Sequence, residues 1–100
     1  MEKEITERVR TYQDTIKDYI INKYPTVKCY TENNVYLVFE HENVYDKKNH
    51  KIRLEIVSEK DYISYKLQPI GSEKVLISST IRNTIDNIST FFVKRCYRVV

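Results

Sequence analysis

Alanine is absent from this 100-residue chain, and glycine occurs only once, at Gly71. A glycine-rich phosphate loop needs several residues without a Cβ atom, so that the backbone can approach an anion. A single glycine therefore excludes the usual nucleotide-binding loops. We expect no small-molecule cofactor.

Cysteine is also scarce, because only Cys29 and Cys96 are present. Two cysteines do not make a disulfide framework, and we expect two reduced, partly buried thiols in a cytoplasmic protein. A single bridge between the first strand and the last helix is the alternative.

Long apolar runs are missing as well. The longest, residues 35–39, is far shorter than the roughly 18 residues of a membrane span. The charged N-terminus lacks the apolar region of a secretory signal. We therefore expect no membrane partner and a cytoplasmic location.

The residues that replace alanine and glycine are isoleucine (12), lysine (11), tyrosine (9) and asparagine (7). AT-rich codons encode these residue types, and small proteins of viruses and mobile elements often show this bias. We expect such an origin, with the host cytoplasm as the location. The same bias supplies many lysines and tyrosines, so their placement is more informative than their number.

The first and last segments show helical spacing of apolar residues. Residues 3–24 carry an apolar residue every three or four positions, and Pro25 ends that pattern. Similar spacing returns after Ser78 and Ser79, either of which could be the N-cap of a last helix. The helical stripes are Ile5, Val9, Tyr12, Ile16 and Ile20, then Ile81, Ile85, Ile88, Phe92 and Cys96.

Between the helices the apolar period is two, which predicts strands joined by short turns. Asn33 and Asn34 suit a turn with positive φ, and residues 46–50 form a polar loop. The sequence predicts one α+β domain over residues 1–100, a two-layer sandwich of order α-β-β-β-β-(β)-α. The sheet is antiparallel, and both helices pack on one of its faces.

The opposite face of the predicted sheet alternates aromatic and basic side chains. It contains Lys28, Tyr30, Tyr36, Arg53, Tyr62 and Lys66. Tyrosine and arginine are favoured anchors of protein interfaces, whereas tyrosine also suits a merely half-exposed strand surface. We expect a non-enzymatic protein that binds a protein partner, either a host component that it inhibits or adapts, or a second copy of itself.

Nucleic acid is the alternative partner, because aromatic rings can stack on unpaired bases while cations contact phosphates. The formal charge of +3 lies entirely in residues 79–100, so a basic patch at Lys94, Arg95 and Arg98 would extend the positive surface. A net charge of +3 is small for such a function.

Catalytic and metal-binding patterns are weak. His41 and His50 belong to no local signature, and neighbouring residues of a strand, such as Glu40 and His41, point to opposite faces. Glu40, Glu42 and Glu55 lie on adjacent predicted strands, where cross-strand ion pairs are the simpler explanation. We expect no metal site, and a minimal hydrolase that uses His41 with Glu40 or Glu42 is the second alternative.

Overall fold

The computed structural model describes residues 6–97, which form a helix, five strands and a second helix. The elements are α1 (Glu7–Lys23), β1 (Lys28–Glu32), β2 (Tyr36–Glu42), β3 (Asn49–Ser58), β4 (Ile63–Pro69), β5 (Leu76–Ser78) and α2 (Ile81–Cys96). The predicted α+β class and order of elements are confirmed.

The five strands form one antiparallel sheet in chain order, β1-β2-β3-β4-β5. A tight turn joins β1 to β2, with φ of 54° at Asn33 and 56° at Asn34. Two consecutive residues of positive φ match the right-handed twist of a hairpin, and Val35 N–H donates to Glu32 C=O at 3.2 Å. The predicted turn with positive φ at the two asparagines is confirmed, and it sets the register of the first hairpin.

Helix α1 begins where Thr6 caps it, since the threonine Oγ1 accepts from Val9 N–H at 3.2 Å. The prediction placed its start at residue 3, and residues 1–5, including Ile5, lie outside the described part. The helix ends before Pro25, as expected from the missing proline N–H. Its buried side also holds a polar residue, Gln13, whose Nε2 donates to Val35 C=O at 3.1 Å.

Helix α2 has Thr80 as its N-cap, so the prediction of Ser78 or Ser79 was wrong. The Oγ1 of Thr80 accepts from Asn83 N–H at 3.0 Å. Ser78 is instead the last residue of β5, and its hydroxyl lies 2.6 Å from that of Thr84. Neither helix of the described part is long and apolar enough to cross a bilayer.

The core lies between the two helices and one face of the sheet. Its most completely buried large side chains come from all of these elements, and they are Ile16, Ile20, Phe39, Ile52, Leu54, Leu67, Ile88 and Phe92. Both helices contact each other and the middle strand. This arrangement leaves the opposite face of the sheet, which we call the outer face, uncovered by helix.

The segment between β2 and β3 closes the C-terminal end of α2. Asn43 is 1% exposed, and its Nδ2 donates to Arg95 C=O at 2.7 Å. Val44 N–H donates to Cys96 C=O at 2.8 Å. Carbonyls at a helix C-terminus lack partners within the helix, so this segment acts as its cap. The connection covers residues 43–48, so the polar loop predicted at residues 46–50 begins and ends earlier in the chain than expected.

Candidate interaction surface

The outer face carries five of the six candidate residues on its strands. Cross-strand pairing places Lys28 opposite Glu40, and Lys66 between Glu55 and Ile77. The sixth residue, Tyr62, precedes β4 and is 63% exposed. The strand pairing therefore brings most of the predicted surface onto one side of the sheet.

Arg53 is the centre of this face. Its Nη2 lies 2.6 Å from the carboxylate Oε1 of Glu32, and its guanidinium lies over the ring of Tyr36, 4.7 Å from the centroid. The aromatic ring and the carboxylate hold the guanidinium from two directions. The side chain is consequently fixed before any partner arrives, which lowers the entropy lost on binding.

Val38 lies on the same face but is only 1% exposed. Tyr30 and Arg53 are its direct cross-strand neighbours on either side. Long side chains can cover apolar surface while their polar ends stay in water. Alternation along the strand places this valine on the side away from the helices, where it would be exposed without its long neighbours. The outer face instead has a small apolar layer of its own.

Tyr30 belongs to a second polar cluster, centred on Glu40. The carboxylate accepts from Asn49 Nδ2 at 2.5 Å, it lies 3.9 Å from Lys51 Nζ, and Tyr30 donates to it. These contacts, with the charge of Lys28, hold the pKa of Glu40 below its usual value. The pKa of Tyr30 is raised by burial and by its hydrogen bond to Glu40. Glu40 thus takes part in a cross-strand ion pair, but with Lys51. The sequence predicts such pairs beside Arg53 and Lys66, and Arg53 binds Glu32 instead.

Three of the candidate residues share one shallow depression. Tyr36, Arg53 and Lys66 line a volume of about 190 Å³, together with Glu55 and Gln68 of the strands and Val75. Lys28 and Tyr30 belong to β1 at the edge of the sheet, and they lie around Glu40. The candidate surface thus divides into a central depression and an edge cluster.

Tyr62 lies apart from both groups. With Ile77, which is 66% exposed, it lines a wider groove of about 540 Å³ between β5 and the first turns of α2. Asn83 and Asp86 form the helical wall of that groove.

The strands balance their charges across the outer face. The basic residues are Lys28, Lys51, Arg53 and Lys66, and the acidic residues are Glu32, Glu40, Glu42 and Glu55. A nucleic-acid surface needs an excess of positive charge along the path of the phosphates. The balance on this face favours a partner with mixed charges.

The basic residues of α2 occupy a different part of the molecule. Lys94 and Arg95 are exposed in the last turn of the helix, which packs on the inner face, and Arg98 lies outside the described residues. A nucleic acid that contacted both these residues and Tyr36 would have to pass around the end of the sheet.

His41 is held by both ring nitrogens. Nδ1 lies 2.5 Å from Glu42 C=O, and Nε2 lies 2.6 Å from Thr26 Oγ1. Because a carbonyl only accepts, Nδ1 donates in the first contact, whereas a hydroxyl can donate or accept, so either partner can donate in the second. The imidazole also contacts Tyr97, 5.3 Å between centroids.

The residues of the hydrolase alternative do line one depression, of about 380 Å³, formed by Glu40, His41 and Glu42 with neighbouring loop residues. However, His41 is only 7% exposed, and both of its ring nitrogens are already engaged in hydrogen bonds within the protein. His50 pairs directly with His41 across the strands. Within residues 6–97, no group of three or more His, Cys, Asp or Glu side chains could hold a metal ion.

The two cysteines are free thiols in the structure. Cys96 is fully buried, and its Sγ lies 3.4 Å from His41 C=O, to which it donates. Burial raises the pKa of both Cys29 and Cys96 to about 11. Such thiols hold little thiolate at neutral pH and are poor nucleophiles.

Two members of the surface were missed by the sequence interpretation, namely Glu32 as the partner of Arg53 and Val38 as a covered residue. A hairpin register counted outward from the Asn33–Asn34 turn already pairs Glu32 with Tyr36, which points to the first of them. The burial of Val38 has no such signal, since it depends on the conformations of long neighbours.

No family model, no curated protein and no solved structure matches the chain. Its function is therefore inferred from the geometry of residues 6–97 alone.

Proposed function

We propose that this protein is a small, non-enzymatic binding protein that captures a protein partner through the outer face of its sheet. The partner is a host protein that it inhibits or adapts by steric occupation, or a second copy of the chain. The source is a virus or mobile element, and the site of action is the host cytoplasm. The observation that carries the proposal is the fixed arrangement of Tyr36, Arg53 and Glu32 beside the depression.

The support comes from the composition and rigidity of that depression. Tyrosine and arginine supply a large share of binding energy in protein interfaces, particularly where they are pre-organised. Lys66 and Glu55 add opposite charges on its rim. A surface of this kind suits a partner that presents an apolar side chain flanked by charges of both signs.

The test compares two triple variants of matched composition. The first, Tyr36→Thr, Arg53→Thr and Tyr62→Thr, removes the outer-face anchors. The control, Arg10→Thr, Tyr19→Thr and Tyr45→Thr, removes the same residue types from exposed positions on α1 and the loop after β2. Both are used as bait in host extracts, and recovered proteins are quantified by mass spectrometry with and without nuclease treatment.

The proposal predicts that the outer-face variant loses a partner that the wild type and the control retain, with or without nuclease. Sedimentation of the three purified proteins reports self-association in the same way. Equal capture and equal sedimentation by folded preparations of all three would contradict it. Thermal melting establishes that each variant is folded.

Nucleic acid is the second candidate. Lys94 and Arg95 are exposed, and no carboxylate of residues 6–97 forms an ion pair with either. This proposal predicts binding to single- or double-stranded oligonucleotides at low salt that falls steeply as salt increases. Absence of binding at about 20 mM salt, where such contacts are strongest, would exclude it.

A further inference from the structure

A pocket at the end of the sheet combines basic and hydroxyl side chains from three parts of the fold. The start of β3 supplies His50 and Lys51, the last turn of α2 supplies Arg95, and the turn after β4 supplies Ser72. Its volume is about 350 Å³, and no acidic residue of the described part lines it. We propose that this pocket binds a phosphate group, either as inorganic phosphate or as a small phosphate monoester.

The guanidinium of Arg95 is positioned by the residue beneath it. It lies over the ring of Phe91, 4.9 Å from the centroid, and Phe91 is only 6% exposed. Stacking engages the flat face of the guanidinium and leaves its N–H edge available. A guanidinium edge matches the oxygens of a phosphate with two parallel hydrogen bonds.

The opposite wall is a fixed turn. Ser72 N–H donates to Pro69 C=O at 3.1 Å, and Gly71 has φ of +89°, which disfavours a side chain there. Gln68 Nε2 donates to Ser72 C=O at 2.9 Å, and Ile70 N–H donates to Lys51 C=O at 3.0 Å. The bond of Gln68 fastens the turn to β4 and that of Ile70 fastens it to β3, so the wall is formed in advance.

Ser72, in this turn, also supplies a hydrogen-bond donor from its side chain. The Oγ of Ser72 accepts from Lys74 N–H at 3.1 Å, which leaves its own O–H able to donate. Lys51 lies 3.9 Å from Glu40, and its side chain is 40% exposed. This side chain belongs to the outer face, so Lys51 adds positive charge at the mouth of the pocket, whereas Arg95 and Ser72 supply its donors.

The pocket is larger than a phosphate ion requires, and Ile70, 47% exposed, lies on its rim. An apolar group attached to the phosphate could contact this side chain. Inorganic phosphate and phenyl phosphate therefore distinguish the two sources of the anion. Tighter binding of phenyl phosphate indicates a monoester, and equal binding indicates the free ion.

The test is a titration of each compound into the isotope-labelled protein, followed by the amide chemical shifts of Gly71 and Ser72. We expect saturable shifts in the wild type. Arg95→Gln should weaken binding about tenfold, the effect of losing a charge-assisted hydrogen bond. Lys94→Gln removes the same charge from a neighbouring residue that does not line the pocket, and it should leave the affinity within about twofold, because exposed charges are screened.

Two results would overturn the proposal: no saturable shift in the pocket, or equal weakening by Arg95→Gln and Lys94→Gln. If Arg95→Gln does not fold, Arg95→Lys replaces it, because lysine keeps the charge but cannot form the two parallel hydrogen bonds. An unchanged affinity in that variant also overturns the proposal. The probes are small molecules and need no protein partner. The result is consequently independent of whether the outer face binds protein.

Discussion

At the scale of single residues, the buried polar side chains connect segments that are far apart in the chain. Gln13 joins α1 to the first hairpin, and His41 joins β2 to the residues that follow α1. Asn43 makes the longest of these connections, from the end of β2 to the end of α2. A buried polar group costs free energy when it loses its partner, so these positions tolerate little change.

Replacing Asn43 by alanine should lower the free energy of unfolding by about 3 kcal/mol. The substitution removes the donor to Arg95 C=O and the Oδ1 acceptor of Tyr45 N–H and Asp46 N–H, at 2.7 and 3.0 Å. Urea unfolding followed by circular dichroism measures the change. Asn22→Ala, at an exposed position of α1, is the control and should leave stability nearly unchanged. A similar small effect at Asn43 would show that the cap contributes little.

The two thiols should react slowly with alkylating reagents in the folded protein. With a pKa of about 11, the thiolate fraction at pH 8 is about a hundredfold smaller than for an unfolded cysteine of pKa 9. Mass spectrometry after timed exposure to iodoacetamide, with and without urea, measures the rates. Raising the pH toward 11 should accelerate the reaction of the folded protein. Rapid labelling of Cys29 at pH 8 without urea would contradict the raised pKa.

At the scale of elements, the sequence predicts most of what is observed because local rules determine it. Apolar periodicity predicts the two helices and four or five strands, of which the structure has five. Pro25 ends α1, and Asn33 and Asn34 form the hairpin turn. The N-cap of α2 was predicted at Ser78 or Ser79, whereas it is Thr80, because serine and threonine are similar capping residues. Which of the three residues caps the helix depends on where β5 ends, and the pairing of β5 with β4 determines that end.

Thr80→Ala should lower the free energy of unfolding by about 1 kcal/mol, as expected for the loss of an N-cap. The Oγ1 acceptor of Asn83 N–H disappears, while the helix itself is otherwise unchanged. Thr90→Ala, at an exposed position inside the same helix, should instead raise stability by about 0.5 kcal/mol, because alanine is the better helix former. Thermal and urea unfolding distinguish the two signs. If Ser79→Ala destabilised the protein as much as Thr80→Ala, the assignment of Thr80 as the N-cap would be wrong.

At the scale of the whole molecule, the sheet separates two environments. The inner face is covered by both helices, and within residues 6–97 no helix covers the outer face, where long side chains shield the strands. Sequence alternation predicts which residues point to which face. It does not predict how far tyrosine and arginine side chains shield a neighbour, nor that the end of the sheet brings Arg95 close to β3, since both depend on packing between distant segments.

The outer apolar layer is tested by a pair of valine substitutions on the same face. Val38→Ala should lower the free energy of unfolding by about 2 kcal/mol, because two fully buried methyl groups are lost beneath Tyr30 and Arg53. Val57→Ala, at a half-exposed position of β3, should cost less than about 1 kcal/mol. Urea unfolding of the two variants gives the comparison directly. Equal losses would mean that Tyr30 and Arg53 do not shield Val38 in solution, and the outer face would then lack the fixed side chains that a pre-organised binding surface requires.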